Sequence, residues 1–383
     1  MSVATTPKIY VAVVGVGLVG AELVEQLLAI PQQTSPFRLI SLSSSSRTIF
    51  DAENPIQTGS SWKEKLTTSN QRPDFQLLTK QLAALVASGQ KVAIVDNTSS
   101  DDIAKLYPGW LENGISVVTP NKKAYSGELD LYEKIISASK ASGARFLNES
   151  TVGAGLPVIS TLKELVATGD RASDLCGSLL LVVKIEGVFS GTMSYIFNNF
   201  STGAADGPAF SSVVSVAREK GYTEPHPADD LNGFDVARKL TILTRTITTG
   251  SHIPTALPAL QTFAFVKTES LIPKPLEGIP SGDEFVSRLP EFDAHFAKLR
   301  SEASAEGKVL RFVGVVDVAG GVVKAGLEKY STSHPFATSL GGSDNIIMFH
   351  TERYGARPLI VQGAGAGAAV TAMGVLGDLF KLA

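Results

Sequence analysis

The sequence has 383 residues, 44% hydrophobic and 19% charged, with a formal net charge of −3 at pH 7. That balance fits a globular chain long enough for two domains with sizeable cores, and it lacks the concentrated basic surface that a nucleic-acid partner needs. A single cysteine, Cys176, excludes an internal disulfide framework and fits a reducing compartment. The first apolar run begins at Ile9 without the pattern of a secretory signal, and no stretch approaches membrane-spanning length. The expected location is therefore the cytoplasm.

Residues 9–14 have a buried-strand pattern that runs into Gly15-Val16-Gly17-Leu18-Val19-Gly20 and a helical stretch, 21–29. This spacing predicts the strand, glycine turn and helix of a dinucleotide-binding fold. Gly15 permits the tight turn, Gly17 lets a pyrophosphate approach the N–H groups at the helix N-terminus, and Gly20 lets helix pack on strand. Residues 37–42 read as the second strand, whose end ordinarily carries an acid for the adenine ribose hydroxyls. Ser43 to Ser46 and then Arg47 stand there instead. A missing acid beside an arginine favours a 2′-phosphate, hence NADP, with NAD the alternative. After a loop and helix over 71–90, the apolar strand 92–95 ends in Asp96-Asn97-Thr98-Ser99-Ser100. Polar groups at a strand's carboxyl end are where open α/β sheets bind ligands; the same residues also suit the cap of a helix from Asp101. The strand 115–119 closes into Pro120-Asn121-Lys122-Lys123, which points a lysine at the same crevice, although lysines are mostly surface charge. After a helix over 129–141, the loop 148–157 interleaves glycines with Glu149. Its carbonyls can turn inward for a hard cation, or the loop can serve simply as a domain crossover. An amphipathic helix over 157–166 follows.

Composition shifts at Asp174. Residues 179–183 and 185–189 read as strand, ending in Ser190-Gly191-Thr192, and the pattern is then helical through Asn199. The stretch 221–239, GYTEPHPADDLNGFDVARK, is where the chemistry concentrates. Pro225 and Pro227 hold the backbone extended, so Glu224 is presented from a stiff loop. Asp229 and Asp230 sit where a helix N-terminus favours negative charge. Val236, Leu240, Leu243 and Ile247 mark a buried stripe, with Asp235 and Lys239 four apart on a face beside it. A lone Asp-x-x-x-Lys reads as an ordinary surface pair. Four carboxylates in the twelve residues 224–235, balanced only by Arg238 and Lys239, suggest instead a site for a small cation such as an ammonium group. Beyond it come a proline-punctuated region (271–276, 284–285), a polar helix near 292–306, strands at 309–316, 322–328 and 351–361, and a glycine-rich opening, 363–370, to a last helix able to pack on the first domain. The expected organisation is a dinucleotide-binding domain over 1–150, completed by 345–383, and an α+β domain over 151–344.

Taken together, GVGLVG, VDNTSS (95–100), TPNKKA (119–124), STVGAGLP (150–157), FSGT (189–192), the acidic stretch and QGAGAGAAVTA (362–372) resemble, in this order and over nearly the whole chain, the short fungal monofunctional homoserine dehydrogenases. The acidic stretch and FSGT are far more specific than the glycine turn. The resemblance implies a Rossmann-type dinucleotide-binding domain plus a second α+β domain for dimerisation and substrate binding, and a homodimer through the second domain's sheet. It also implies NAD(P)-dependent interconversion of L-homoserine and L-aspartate 4-semialdehyde, in threonine, methionine and isoleucine biosynthesis. By the same resemblance, Lys239 transfers the proton at the substrate's C4 oxygen and Lys122 is a second lysine near nicotinamide and substrate. Glu224 and Asp235 bind the substrate's amino and hydroxyl end with Asp230 in support, and Gly191, Thr192 and Tyr222 belong to the substrate segments. Glu149, Val152, Ala154 and Leu156 match a sodium site built largely of backbone oxygens. Gly17, Thr98 and Gly367 match cofactor contacts, and Gly15, Val16, Leu18, Val19, Gly20, Arg47, Ser99 and Lys122 complete the expected cofactor set. One departure is a longer stretch between Gly169 and Lys184, which contains Cys176 and the apolar 179–183.

Oxidising a primary alcohol requires removal of a hydride and loss of the hydroxyl proton, so a group of tunable proton affinity must reach the oxygen. One cysteine and five histidines offer no zinc-ligand pattern. A lysine serves if burial or a neighbouring cation lowers its pKa. Two other readings compete. A semialdehyde dehydrogenase acting through a cysteine thioester would need Cys176 activated, yet it sits in an apolar run. A nucleotide sensor without catalysis would have no use for both Lys122 and Lys239.

Overall fold

The apolar runs near the N-terminus form the middle of a mainly parallel sheet in the computed structural model, which describes residues 8–169, 182–250 and 256–383. Its strands are β1 (Ile9–Val14), β2 (Phe37–Ser43), β3 (Thr48–Phe50), β4 (Lys91–Asp96), β5 (Ser116–Val118) and β6 (Phe146–Leu147), in the order β3-β2-β1-β4-β5-β6. β1 pairs parallel with both β2 and β4, so the strand order reverses beside it. In open α/β sheets that reversal opens the ligand crevice at the carboxyl ends. Val11 and Val13 of β1 are fully buried, as are Leu23 and Val24 of the helix Leu18–Ala29. Alternating strand residues and i, i+3/i+4 helix residues thus meet in one apolar cluster. Ala372, Val375 and Leu379 of the C-terminal helix Ala368–Phe380 join the same cluster.

The second sheet is mainly antiparallel: β7 (Val182–Val188), β8 (Lys267–Thr268), β9 (Lys308–Asp317), β10 (Val322–Ser331), β11 (Asp344–Thr351) and β12 (Leu359–Ala364), in the order β12-β11-β7-β9-β10-β8. The helix Phe234–Gly250 lies against it, and Val236, Leu240, Leu243 and Ile247 are buried, as the periodicity requires. Gly314 in β9 makes room for that helix. A Cβ there would meet Leu240 at 2.7 Å and the Phe189 ring at 2.9 Å.

Contacts divide the chain into one unit that runs to Gly155 and resumes at Gly367–Ala383, and a second, Leu156–Ala366. The return to the first unit therefore begins at 367 and not at 345. The reason is pairing: β11 bonds to β7 and β12 bonds to β11, which places both in the second sheet. Of the strand expected over 351–361, Thr351 ends β11 and 359–361 belong to β12, while 352–358 form a polar turn between them, with Gly355 at φ 59°. β3 is an unexpected hairpin partner of β2. Cys176 lies outside the described residues, and of the apolar run 179–183 only Val182 and Val183 are described. No helix among the described residues is long and apolar enough to cross a membrane.

Candidate active site

In the first unit the glycine turn is built as its spacing demands. Gly15 has φ 85°, open to glycine but strained for other residues. Gly20 has no room for a side chain, because a Cβ would lie 2.0 Å from the Gly15 carbonyl oxygen. Gly17 differs: a Cβ there would meet nothing within 4 Å, so the space over the helix N-terminus is open. That helix has no acid in its first turn, and Leu18 at its start is 87% exposed, while Val16 and Val19 pack on the apolar cluster. Backbone N–H groups in open space at a helix start suit a phosphate.

Thr98 and Lys122 belong to two loops that one buried acid ties together. Asp96, fully buried at the end of β4, accepts from Thr98 N (2.8 Å), from Asn121 Nδ2 (3.0 Å) and from the Tyr107 hydroxyl. Asn121 Nδ2 also donates to Ser100 O (3.0 Å), and its Oδ1 accepts from Lys123 N (3.0 Å). Burial pushes the Asp96 carboxyl up, and the bonds from Tyr107, Asn121 and Thr98 oppose that shift. Ser99 sits between the bonded Thr98 and Ser100, and Lys122, half-buried, caps the short helix Lys123–Ser126. Arg47 ends a four-residue turn joining β2 to β3. Ser44 Oγ accepts from Arg47 N (3.0 Å), and the exposed guanidinium reaches the Ser69 carbonyl at 3.3 Å. Gly367, at φ 123°, caps the C-terminal helix of this unit.

The loop carrying Glu149 also closes within the first unit up to Gly155. Glu149 is buried, with Lys381 Nζ 3.1 Å from its Oε2, and its N–H donates to Asp378 Oδ2 (2.7 Å). Gly153 and Ala154 both have positive φ, 77° and 54°, and Ala154 is alone in this among the described non-glycine residues. Val152 is fully buried, and the Leu156 carbonyl, the first of the second unit, accepts from Val158 N at 2.8 Å.

In the second unit the expected ion pair forms between a buried lysine and a half-exposed aspartate. Lys239 Nζ lies 2.6 Å from Asp235 Oδ2 and donates to the Phe189 carbonyl at 2.7 Å, with the lysine only 7% exposed. Burial disfavours the ammonium, whereas acceptors such as the Asp235 carboxylate and the Phe189 carbonyl stabilise it. A second knot lies beside it in sequence. Thr192 Oγ1 donates to Tyr222 O (2.6 Å), Glu224 N donates to Asp230 Oδ2 (2.8 Å), and the Tyr222 ring packs on Tyr195 at 4.7 Å between centroids. Burial raises the Asp230 carboxyl, the nearby Thr192 hydroxyl and the bond from Glu224 N oppose it, and the charges of Glu224 and Asp235 add to the rise, leaving it at about 6. Glu224 itself is exposed. Gly191 opens the helix Gly191–Phe200, capped by Ser190 Oγ on Met193 N.

Sequence reasoning missed Asp96 and Asn121 as organisers, Phe189 as a ligand of the amine, and Asn345, whose Nδ2 donates to that same Phe189 carbonyl at 2.9 Å. For Asp96 the signal was present, an acid ending an apolar strand. For a backbone carbonyl there was none.

A glycine-turn nucleotide unit, joined in one chain to a unit with a buried lysine and converging acids, defines a nicotinamide-dependent oxidoreductase. The comparisons with known proteins narrow the class. The homoserine dehydrogenase family model matches residues 157–380, and that of the homoserine dehydrogenase NAD-binding domain matches residues 15–149. The chain is 47% identical over 380 residues to a homoserine dehydrogenase of Saccharomyces cerevisiae, covering 99% of both chains. Its fold superposes on a crystal structure of a Candida auris protein of unknown function with a TM-score of 0.85, at 41% identity over 98% of each chain. It also superposes on a hyperthermophilic archaeal homoserine dehydrogenase in complex with NADPH, with a TM-score of 0.67 at 21% identity, covering 98% of this chain and 97% of that one. The chain belongs to the homoserine dehydrogenase family and is an NAD(P)-dependent oxidoreductase.

Proposed function

We propose that the chain oxidises the primary hydroxyl of L-homoserine to the aldehyde of L-aspartate 4-semialdehyde, and the reverse, with Lys239 as the group that takes and returns the hydroxyl proton. The observation that carries this reading is the Lys239 amine, buried yet anchored by the Asp235 carboxylate and the Phe189 carbonyl. Two fixed acceptors hold the nitrogen in place, as a proton-transfer group requires. In oxidation the O–H bond breaks toward Lys239 while the C–H bond electrons leave as hydride; in reduction the ammonium returns the proton to the forming alkoxide. The nicotinamide ring, when bound, supplies the hydride acceptor. Glu224 and Asp235, with Asp230 behind them, bind the substrate's ammonium and hydroxyl end, and Gly191, Thr192 and Tyr222 shape the site.

On the nucleotide side, the open space above Gly17 and the absence of a first-turn acid fit a pyrophosphate. Residues 15–20, Thr98, Ser99, Lys122 and Gly367 are the residues proposed to hold the cofactor. Arg47 on its exposed turn, with serines and no acid beside it, supports NADP over NAD; NADPH is also the ligand of the archaeal relative. Glu149 with the carbonyls of Val152, Ala154 and Leu156 offers an all-oxygen donor set suited to a monovalent cation such as sodium. The positive φ values of Gly153 and Ala154 support a loop that re-aims successive carbonyls. A homodimer through the second sheet and a cytoplasmic location complete the reading. The direct experiment mixes pure protein with L-homoserine and NADP or NAD and follows absorbance of the reduced nicotinamide. Turnover with homoserine, faster with NADP, is expected. No turnover with either cofactor would overturn the proposal.

A further inference from the structure

We propose that Asn345 is a positioning residue for Lys239, acting through the Phe189 carbonyl that both side chains bond. The proposal rests on the reading of Lys239 as the proton-transfer group. Asn345 is fully buried in β11, and its Nδ2 donates to Phe189 O at 2.9 Å, beside the bond from Lys239 Nζ at 2.7 Å. A carbonyl oxygen has two lone pairs, and here each has one donor. The opposite amide orientation would set Asn345 Oδ1 against Phe189 O, acceptor against acceptor, so the assignment of the two amide atoms follows from the bond itself. As assigned, Oδ1 is buried without a hydrogen-bond partner. Leaving such an atom unsatisfied is unfavourable, so the placement of Asn345 is one that hydrogen-bond satisfaction alone would not select.

The chain also clears space for this side chain. A Cβ at Gly365 would lie 2.1 to 2.3 Å from the Asn345 amide group, so no other residue fits at 365 while Asn345 points where it does. Phe189, Asn345 and Gly365 come from three separate stretches, the end of β7, β11 and the segment after β12: Asn345 bonds the Phe189 oxygen, and Gly365 leaves room for the Asn345 amide. Of the charged groups here, Asp235 pairs with the amine at 2.6 Å from the same helix, and Asp230 and Glu224, whose charges act with that of Asp235, come from the stretch before it. All three are unchanged in the variants below, and what Asn345 adds is a shared acceptor. While Asn345 occupies one lone pair, Phe189 O binds the amine less strongly than it would as Lys239's own partner, and its direction is fixed from the other side. Without the Asn345 N–H, the carbonyl re-aims at the amine and holds its proton harder. The proton is then released to solvent, and taken from substrate, only at higher pH.

The test is the pH profile of homoserine oxidation at saturating homoserine and NADP, for the wild type, Asn345→Leu, Asn345→Asp and Lys239→Ala. NADPH affinity and melting temperature are measured for each. Asn345→Leu keeps the branching and the number of heavy atoms and removes the donor; it should move the apparent pKa up by about half to one unit and lower kcat at neutral pH by roughly three- to tenfold. KM for homoserine and NADPH affinity should stay within about twofold of the wild type. Asn345→Asp keeps the shape but brings a carboxyl group near the amine, and should move the ionisation further in the same direction. A purely structural role predicts lower melting temperatures with the ionisation unmoved. That result in both variants, with the ionisation abolished in Lys239→Ala, overturns the role of Asn345 and leaves the Lys239 reading standing. If Lys239→Ala itself keeps the wild-type profile, the Lys239 reading fails and takes this proposal with it. Should Asn345→Leu not fold, Asn345→Ala, which removes the same donor without adding atoms or charge, carries the decision: an upward shift of the ionisation supports the role and an unmoved one overturns it.

Discussion

Gly17 and Gly20 stand three residues apart in one turn, yet the structure assigns them opposite vulnerabilities. A methyl at Gly20 would lie 2.0 Å from the Gly15 carbonyl oxygen, where real contacts essentially never fall below 3.0 Å, so turn and helix must part by about 1 Å. Forced overpacking of this kind costs about 1–3 kcal/mol, or roughly 3–10 °C in melting temperature for a unit of this size. A methyl at Gly17 meets no protein atom within 4 Å and should leave the melting temperature within about 1 °C of the wild type. It would, however, project into the space proposed for the pyrophosphate. Thermal scans without cofactor, followed by fluorescence titration with NADPH, separate the two. Gly20→Ala should melt lower, whereas Gly17→Ala should melt normally and bind NADPH more than about tenfold more weakly, a loss of at least about 1.4 kcal/mol. Normal NADPH binding by Gly17→Ala would refute the placement of the phosphates, and an unchanged melting temperature for Gly20→Ala would refute the packing argument.

Other outcomes follow from particular side chains. Burial alone would raise the Glu186 carboxyl, but hydrogen bonds from His350 (2.8 Å) and Lys184 (2.9 Å) hold it at about 2, below the usual 4.5. Its contribution, on the order of 3 kcal/mol, is present above pH 4.5 and lost as pH falls through about 2, so Glu186→Gln should flatten the acid limb of a denaturation series; an unchanged limb refutes it. Because Asp230 titrates at about 6, KM for homoserine should fall as pH rises from 5 to 7 and become flat in Asp230→Asn. Glu224→Gln should raise KM for homoserine with kcat nearly kept, since an ammonium partner is present in ground and transition states alike; steady-state kinetics showing the loss in kcat instead would contradict that role. Arg47→Ala should raise KM for NADP much more than KM for NAD, and equal effects would sink the 2′-phosphate assignment.

Local patterns carried much of this in the sequence. The glycine turn was legible because the positive φ of Gly15 and the approach of Gly20 to the Gly15 carbonyl arise within the turn itself, and the Asp235–Lys239 pair because i, i+4 spacing on a helix fixes proximity. What pairs across the chain was not. That Phe189 O would bond Lys239, fifty residues on, depends on the close approach of helix to sheet that Gly314 allows. The VDNTSS and TPNKKA motifs were visible separately, but only the fold shows Asp96 binding both through Thr98 N and Asn121. The boundary at 345 failed for a related reason: the continuous apolar run 346–349 suits a buried strand in either sheet, and only pairing with β7 decides. Arg47 was legible as a charge but not as the end of a tight hairpin, since a three-residue strand such as β3 leaves no periodicity to detect.

The most direct test of the account is kcat for homoserine oxidation across pH in Lys239→Ala beside the wild type, with NADPH binding measured on the same samples. Loss of the buried amine should lower kcat by roughly a hundredfold to ten-thousandfold and erase the ionisation through which the wild-type rate rises with pH, while NADPH binding stays as it was. A near-normal kcat with the wild-type pH profile would contradict the account, and the proton would then have to leave by another group, with Lys122 the first to examine.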